Sequence, residues 1–468
     1  MSRLRHPLTA VAVALVLTVP WVITKLTGVA ATFGAGLQVL VTGLAVLGAS
    51  FMLAWAAETA EEDVPRAFAL AVLAVLAVAP EYAVDALYAW GAGSGGATAQ
   101  ACADLAPEVI QRAAEGQGKP LAEACHDANL AIANMTGANR ILIGIGWAGI
   151  AAFTILRARR HGDSSVEHRD GFLADVIHLD RGIATEISFL AAATLWAFLV
   201  PFGGGIDVID TVVLVGLYVT YIGIIIKAGA EAQEEHVGVP AYFQEYSFPR
   251  RVTVVVLLFG YSALMIFTAV EPFAHGLEDI GLAIGVPEFF MIQWFAPLAS
   301  ESPELIVVAV LVMKARSTAG FNTLVSSKLN QWTLLIGTLA IVYSIALGSV
   351  GTLPFDYKQS LEIWITAAQS FLAIAILVNF RISMREATAL FVLFITQVIA
   401  EFVVLKLLSL PNPEAVTHNI LLGYTVVYLV LGAALFVSRR EAVKELLGLT
   451  RATARAAMGR GPKPDHAD

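Results

Sequence analysis

The chain has 468 residues, of which 57% are hydrophobic and only 14% charged, and its formal net charge is −9. A soluble protein of this length divides into two or three domains with roughly a quarter of its residues charged. Here the charges cluster between apolar runs of about 20 residues, long enough to cross a bilayer, so a soluble protein is excluded.

About twelve helices are predicted, near residues 8–27, 32–56, 66–90, 127–156, 184–202, 208–229, 251–271, 288–314, 320–349, 360–379, 387–408 and 418–438. The fold class is therefore all-α, a polytopic transmembrane helix bundle. The first segment follows Arg3, Arg5 and His6 and lacks a convincing cleavage site before the next span, so it reads as a retained helix rather than a signal peptide. Lys and Arg sort by alternate loops. One side holds Arg3, Arg5, Arg66, Arg157, Arg159, Arg160, Arg250, Arg251, Lys314, Arg316, Arg381, Arg385, Arg439, Arg440 and Lys444. The other has Lys25, Arg112, Lys119, Lys358 and Lys406. The positive-inside rule then puts both termini in the cytoplasm of a plasma-membrane protein.

The third and eighth helices share an unusual feature. Each has a Pro-Glu pair inside an apolar run, Pro80-Glu81 and Pro303-Glu304, with Pro65 placed 15 residues before the first pair and Pro287 placed 16 before the second. A carboxylate in hydrocarbon costs several kcal/mol and faces a polar interior or an ion path. A proline beside it removes a helix hydrogen bond and frees a carbonyl. The loop charges give the two copies opposite orientations, so the chain reads as two inverted five-helix repeats with broken helices at the midplane. The predicted units are an additional helix (1–30), the first repeat (31–230, with an external loop at 92–126), the second repeat (250–410), an additional helix (411–440) and a cytoplasmic tail (441–468). The only cysteines, Cys102 and Cys125, lie in that external loop. Two cysteines on the oxidising face form a disulfide by position, with two free thiols as the alternative. The tail sequence RATARAAMGRGPKPDHAD reads as basic and without a fold of its own.

Hard cations take oxygen ligands, namely carboxylates, amide carbonyls, hydroxyls and freed backbone carbonyls. Glu81 and Asp85 are four apart and share a helix face; Glu301 and Glu304 are three apart and do the same, beside Ser300 and Ser302. Like charges held close disfavour simultaneous ionisation, which makes a proton a competing ligand. Each Pro-Glu helix is followed by a span dotted with polar residues, which adds Asn134, Asn139 and Ser327 as candidate ligands. The alternative for Glu81 and Glu304 is interhelical structural bonding; for Asp85 and Glu301 it is a supporting or vestibule position. Glu186 and Glu401 read as structural, and the acidic run Glu58, Glu61, Glu62 and Asp63 as a solvated helix end.

These residues resemble the cation/calcium exchanger superfamily, which includes the sodium/calcium exchangers, with this chain a divergent member. The family has two inverted repeats, each with a G-T/S-S-x-P-E helix and then a G-N-x-x-G-S-N-type helix. LAVAPE (Leu76 to Glu81) and ASESPE (Ala299 to Glu304) sit at the first motif. Ala133 to Asn139 follows the second motif well, and SSKLNQWTLLIG (Ser326 to Gly337) follows it poorly. The resemblance covers residues near 60–150 and 280–340. It implies an antiporter with Glu81 and Glu304 as central cation ligands, hydroxyls and amides completing the sites, and no cofactor beyond the transported ions. Three departures stand out: Ala77 and Val78 replace hydroxyls, Glu301 adds a charge, and Lys328 stands at the motif's asparagine, with Arg140 after Asn139. Lys328 is either a tethered cation or proton-coupling group in the site, or a side chain snorkelling to its helix end.

The expected function is thus secondary active exchange of Ca²⁺ or Na⁺ against Na⁺ or H⁺ by alternating access. The alternatives are a sodium/proton exchanger on the same fold and, behind it, a passive channel. An intramembrane protease is disfavoured, since no paired intramembrane Asp and no His-Glu-x-x-His helix is present. The expected partners are metal cations and the lipid bilayer. Nothing marks a nucleic acid partner, and the loop near 230–250 is too short for a regulatory calcium-binding domain.

Overall fold

The structure is a computed structural model that describes residues 6–29, 33–60, 63, 79–105, 109–110, 120–228, 238–286, 288–408 and 410–460. Pro65, Arg66, Leu76, Ala77, Val78, Glu61, Glu62, Arg112, Lys119 and Pro287 lie outside the described residues. The apolar runs form helices because a bilayer offers the backbone no other partner for its N–H and C=O groups. They are α1 (Pro7–Thr27), α2 (Ala35–Ala60), α3 (described over Ala79–Ser94), α4 (Pro120–His161), α5 (Arg181–Gly203) and α6 (Val208–Ala228). There follow α7 (Phe248–Ile284), α8 (Glu288–Met313), α9 (Ser317–Leu347), α10 (Tyr357–Leu377), α11 (Met384–Leu407) and α12 (Pro413–Ser438). Ten of these are long and apolar enough to span a membrane, and the bent α8 makes eleven. Each predicted span has a counterpart among them, except that the first half of the predicted span 66–90 lies outside the described residues.

Three boundaries differ from expectation. α4 begins at Pro120, seven residues before the predicted start, so the external loop is shorter than 92–126. α7 runs on to Ile284 because its second half is amphipathic: Tyr88 of α3 donates to Glu278 at 2.6 Å, which holds the added turns in place. The tail is corrected as well. A further helix, α13 (Arg440–Ala457), covers the RATARAA stretch, buries Leu446 and docks through Thr450, whose hydroxyl bonds Ser188 and the Ala184 carbonyl. The chain there is rich in strong helix formers, and the docking face supplies the partner that the charges had concealed.

Two small sheets clip the halves together. β1 (Val166–Glu167), β2 (Val176–His178) and β5 (Arg381–Ser383) form an antiparallel trio, joining the α4–α5 loop to the α10–α11 loop. β3 (Gly205–Ile206) pairs antiparallel with β4 (Leu353–Pro354), joining the α5–α6 and α9–α10 connections. Cys102 and Cys125 are disulfide-bonded, which ties the short helix Ala99–Ala103 to the start of α4.

At the centre, α3 and α8 each pack against both α4 and α9. The two contacting helices carry the same irregularity. In α4 a π-helical turn spans Leu142–Trp147, shortly after the second polar motif, and in α9 one spans Gln331–Leu335, within it. Such π turns are rare and favour functional sites. Close approach is set by small residues: a Cβ on Gly137 would lie 1.8 Å from the Gln293 carbonyl oxygen, and one on Gly93 would lie 2.4 Å from that of Tyr343.

Candidate functional site

The four carboxylates singled out by the Pro-Glu pattern meet where α3 and α8 converge. Glu81 lies in the first described turn of α3, and Asp85 sits one turn further on the same face. α8 bends by 50° between Ser302 and Glu304, at the position of Pro303, as loss of a ladder hydrogen bond requires. Glu301 and Glu304 therefore flank the bend. Glu81 is 2% exposed, Asp85 0% and Glu301 3%. Glu81 faces Glu301 most strongly, with Asp85 and Glu304 also in electrostatic reach.

The helices behind supply the donors. Asn134 Nδ2 of α4 donates to Asp85 Oδ1 at 2.8 Å. Gln331 Nε2, in the π turn of α9, donates to Glu301 Oε1 at 2.5 Å, and Ser327 Oγ donates to Glu304 Oε2 at 2.8 Å. What remains open is informative. Glu81 and Glu301 meet carboxyl to carboxyl, a contact that needs a proton between them, and no amide, hydroxyl or cationic donor among the described residues bonds Glu81; Asp85 Oδ2, Asn134 Oδ1 and Glu304 Oε1 are open. Buried carboxylates persist only when paired, protonated or bound to metal. These open oxygens form a set that a hard cation or protons can fill.

Lys328 settles one expectation. It does not snorkel: it is 0% exposed, its Nζ donates to Asn139 Oδ1 at 2.6 Å and to the Asn139 carbonyl at 3.2 Å, and it lies 4.4 Å from the Trp332 ring centroid. Its charge also faces Glu81 and Glu301. The ammonium thus occupies the two oxygens that Asn139 has to offer, while the amide nitrogen donates to the Met135 carbonyl at 2.8 Å. The Ser300 hydroxyl, expected in the site, turns back onto its own helix and donates to the Pro297 carbonyl at 3.2 Å.

Two residues were not singled out from the sequence. Gln331 bonds Glu301 directly, and Gln293 is wholly buried on α8 with neither amide atom bonded. For Gln293 the available signal was an amide isolated in an apolar run, and for Gln331 its place at the end of the polar stretch Ser326 to Asn330.

A second buried polar group lies on the far side of α4. Arg140 Nη1 pairs with Glu362 Oε2 of α10 at 2.6 Å, and its guanidinium lies 4.6 Å from the Trp294 ring centroid. Lys358 of α10 stands 3.8 Å from Glu401 of α11, which accepts from Gln397 at 2.9 Å. Glu186, by contrast, simply accepts from Tyr221 at 3.0 Å.

Comparison with known proteins agrees with this geometry. The sodium/calcium exchanger protein family matches residues 254–403, which include the bent α8 and α9. A crystal structure of the H⁺/Ca²⁺ exchanger CAX is 39% identical to the chain, covering 97% of this chain and 98% of that one, with a TM-score of 0.78. The chain belongs to the cation/calcium exchanger superfamily. The exchanger is accordingly a multi-pass membrane protein and a secondary active cation antiporter, not an enzyme. The selenium-substituted Ca²⁺/H⁺ antiporter protein YfkE shares the fold at 14% identity, covering 86% of this chain and 99% of that one, with a TM-score of 0.55. No curated protein sequence matches the exchanger.

Proposed function

We propose that the exchanger moves Ca²⁺ against H⁺, with Glu81 and Glu304 as the central ligands. Asp85, Glu301 and the Asn134 amide oxygen complete the site, and Ser327 orients Glu304. Ser300 and Asn139 join only after a change of partner, since a carbonyl and Lys328 hold them. The observation that carries this reading is the cluster of four carboxylates, three buried and Glu304 half-buried, in which Glu81 meets Glu301 carboxyl to carboxyl and no other described donor bonds it. One divalent ion or protons satisfies it equally well, and that equivalence is what exchange needs. The H⁺/Ca²⁺ relative at 39% identity supports the choice of counter-ion.

In this reading the inverted repeats are 31–230 and 250–410, flanked by the added helices 1–30 and 411–440 and the segment 441–468. Rocking of one half about the broken helices alternates access. The excess of Lys and Arg on one side supports a plasma-membrane orientation with both termini in the cytoplasm. Lys328 acts as a tethered cation that cancels part of the site's charge. That same ammonium favours the second reading, Na⁺/H⁺ exchange, because it leaves less negative charge for a divalent ion.

The test is flux in liposomes loaded with acid. Uptake of radioactive calcium should follow the outward proton gradient and fall by about a hundredfold or more in Glu81→Gln and Glu304→Gln, as expected when a charged ligand is lost. Proton-driven sodium movement without calcium uptake would establish the second reading instead.

A further inference from the structure

The group around Arg140 and Glu401 takes no part in holding the cation, yet it has features that packing does not require. It begins at the disulfide-bearing face. Asp356, just before α10, exchanges hydrogen bonds with Asn129 of α4 at 3.1 and 3.0 Å, and Lys358 follows with its side chain 17% exposed. From there the row runs inward. Glu401 is 3.8 Å from Lys358, Glu362 is one turn deeper on α10, and Arg140 is bonded to Glu362. Arg140 is the chain neighbour of Asn139, which holds Lys328 beside the central carboxylates.

Much of this row is unsatisfied by protein. Glu362 Oε1, Gln359 Oε1, Gln369 Oε1, Ser370 Oγ, and Arg140 Nε and Nη2 all lack a hydrogen-bond partner among the described residues, while Lys358 Nζ and Glu401 Oε1 have only each other at 3.8 Å, with the ammonium over the Phe289 ring. Buried polar atoms in such number are met by water in folded proteins, because leaving each one unpaired is costly. The charges are also the wrong kind for a metal route. Two side-chain cations, Arg140 and Lys358, line the row and repel a divalent ion, whereas a carboxylate between bonded waters can take and release a proton.

We infer that this row is the proton's own entrance from the disulfide-bearing face to the central carboxylates, with Glu401 as the proton-carrying residue and the cation using a separate route. The inference rests on the Ca²⁺/H⁺ reading above. A hydronium ion in the outside water gives its proton to the Glu401 carboxylate, forming a carboxyl O–H bond and leaving water. That bond breaks as the proton passes to water in the row, which releases another proton toward α4 and the centre, so only a proton is transferred. The charged groups facing Glu401 are Lys358 and Glu362 from α10 and Arg140 from α4, with Gln397 beside it on α11. Tyr428 of α12 faces Arg140.

Two modes of the reconstituted protein separate the routes. Calcium uptake driven by a proton gradient needs proton entry. Exchange of radioactive for unlabelled calcium at equal pH on both sides does not. Glu401→Gln keeps the size of the side chain and should lower gradient-driven uptake by about tenfold or more while calcium self-exchange stays within about twofold. Lys358→Met should show the same split and serves if Glu401→Gln does not fold. Both modes unchanged, or both reduced in parallel, would overturn the proton route. Wild-type protein with no proton-driven uptake would overturn the Ca²⁺/H⁺ reading and the route with it. Wild-type uptake with an unsplit Glu401→Gln would overturn the route alone.

Discussion

Two buried charged regions lie back to back across α4, and they are built on opposite principles. The central one brings together Glu81, Asp85, Glu301 and Glu304 against a single ammonium, and that ammonium is bonded to an amide rather than to a carboxylate. The outer one has two carboxylates and two cations, with Arg140 and Glu362 in direct contact. A balanced set can persist through a transport cycle without an ion. An unbalanced set is stable only when cations or protons arrive, so its energy depends on what is bound. The difference separates a region that changes occupant from one that keeps its charge while protons pass.

The largest effect is expected on the outer side. Arg140→Met leaves Glu362 buried without its partner and should cost about 3–5 kcal/mol of stability, whereas the double change with Glu362→Met should recover most of it. Thermal unfolding in detergent reads both, and equal losses in the single and double variants would contradict the charge-balance account. The central cluster should behave in the reverse sense. Saturating calcium, at roughly 100 times its dissociation constant, should stabilise the wild type by about 2.7 kcal/mol. Glu81→Gln should abolish that gain without destabilising the calcium-free protein, since it removes one of several mutually repelling charges. The smallest effect concerns the ammonium. Lys328→Met removes a positive charge facing Glu81 and Glu301, so calcium should bind about tenfold more tightly, or about 1.4 kcal/mol. Titration calorimetry checks this, and weaker binding would place Lys328 among the groups that organise the site rather than those that oppose the cation.

The Pro-Glu helices were legible because an ionisable residue beside a proline in an apolar run has few structural explanations. Glu81, Asp85, Glu301 and Glu304 are brought together as their spacing on two helix faces predicts. The partners were less legible. Ser300 was chosen for its place in the motif, but its hydroxyl turns back onto the helix because the turn beside a bend offers it a nearer carbonyl. Gln331 is not legible as a partner from sequence, since it closes a polar stretch whose facing depends on the π turn that places it against Glu301. The docked helix at 440–457 was hidden by its basic composition, since a solvated face and an unfolded tail look alike until the other face finds α5 and α6.

The chain's own residues determined the apolar helices and their alternation, the disulfide, and the presence of two Pro-Glu segments, since each follows from local hydrophobicity, charge or spacing. Tertiary structure alone decided which buried charges meet. Lys328 could equally have reached its helix end, and Arg140 could have faced the centre beside Asn139. What directs the first to Asn139 and the second to Glu362 is the packing of α4 between α8, α9 and α10. Coulombic pairing depends on distances of a few ångströms between helices far apart in sequence, which no local pattern encodes.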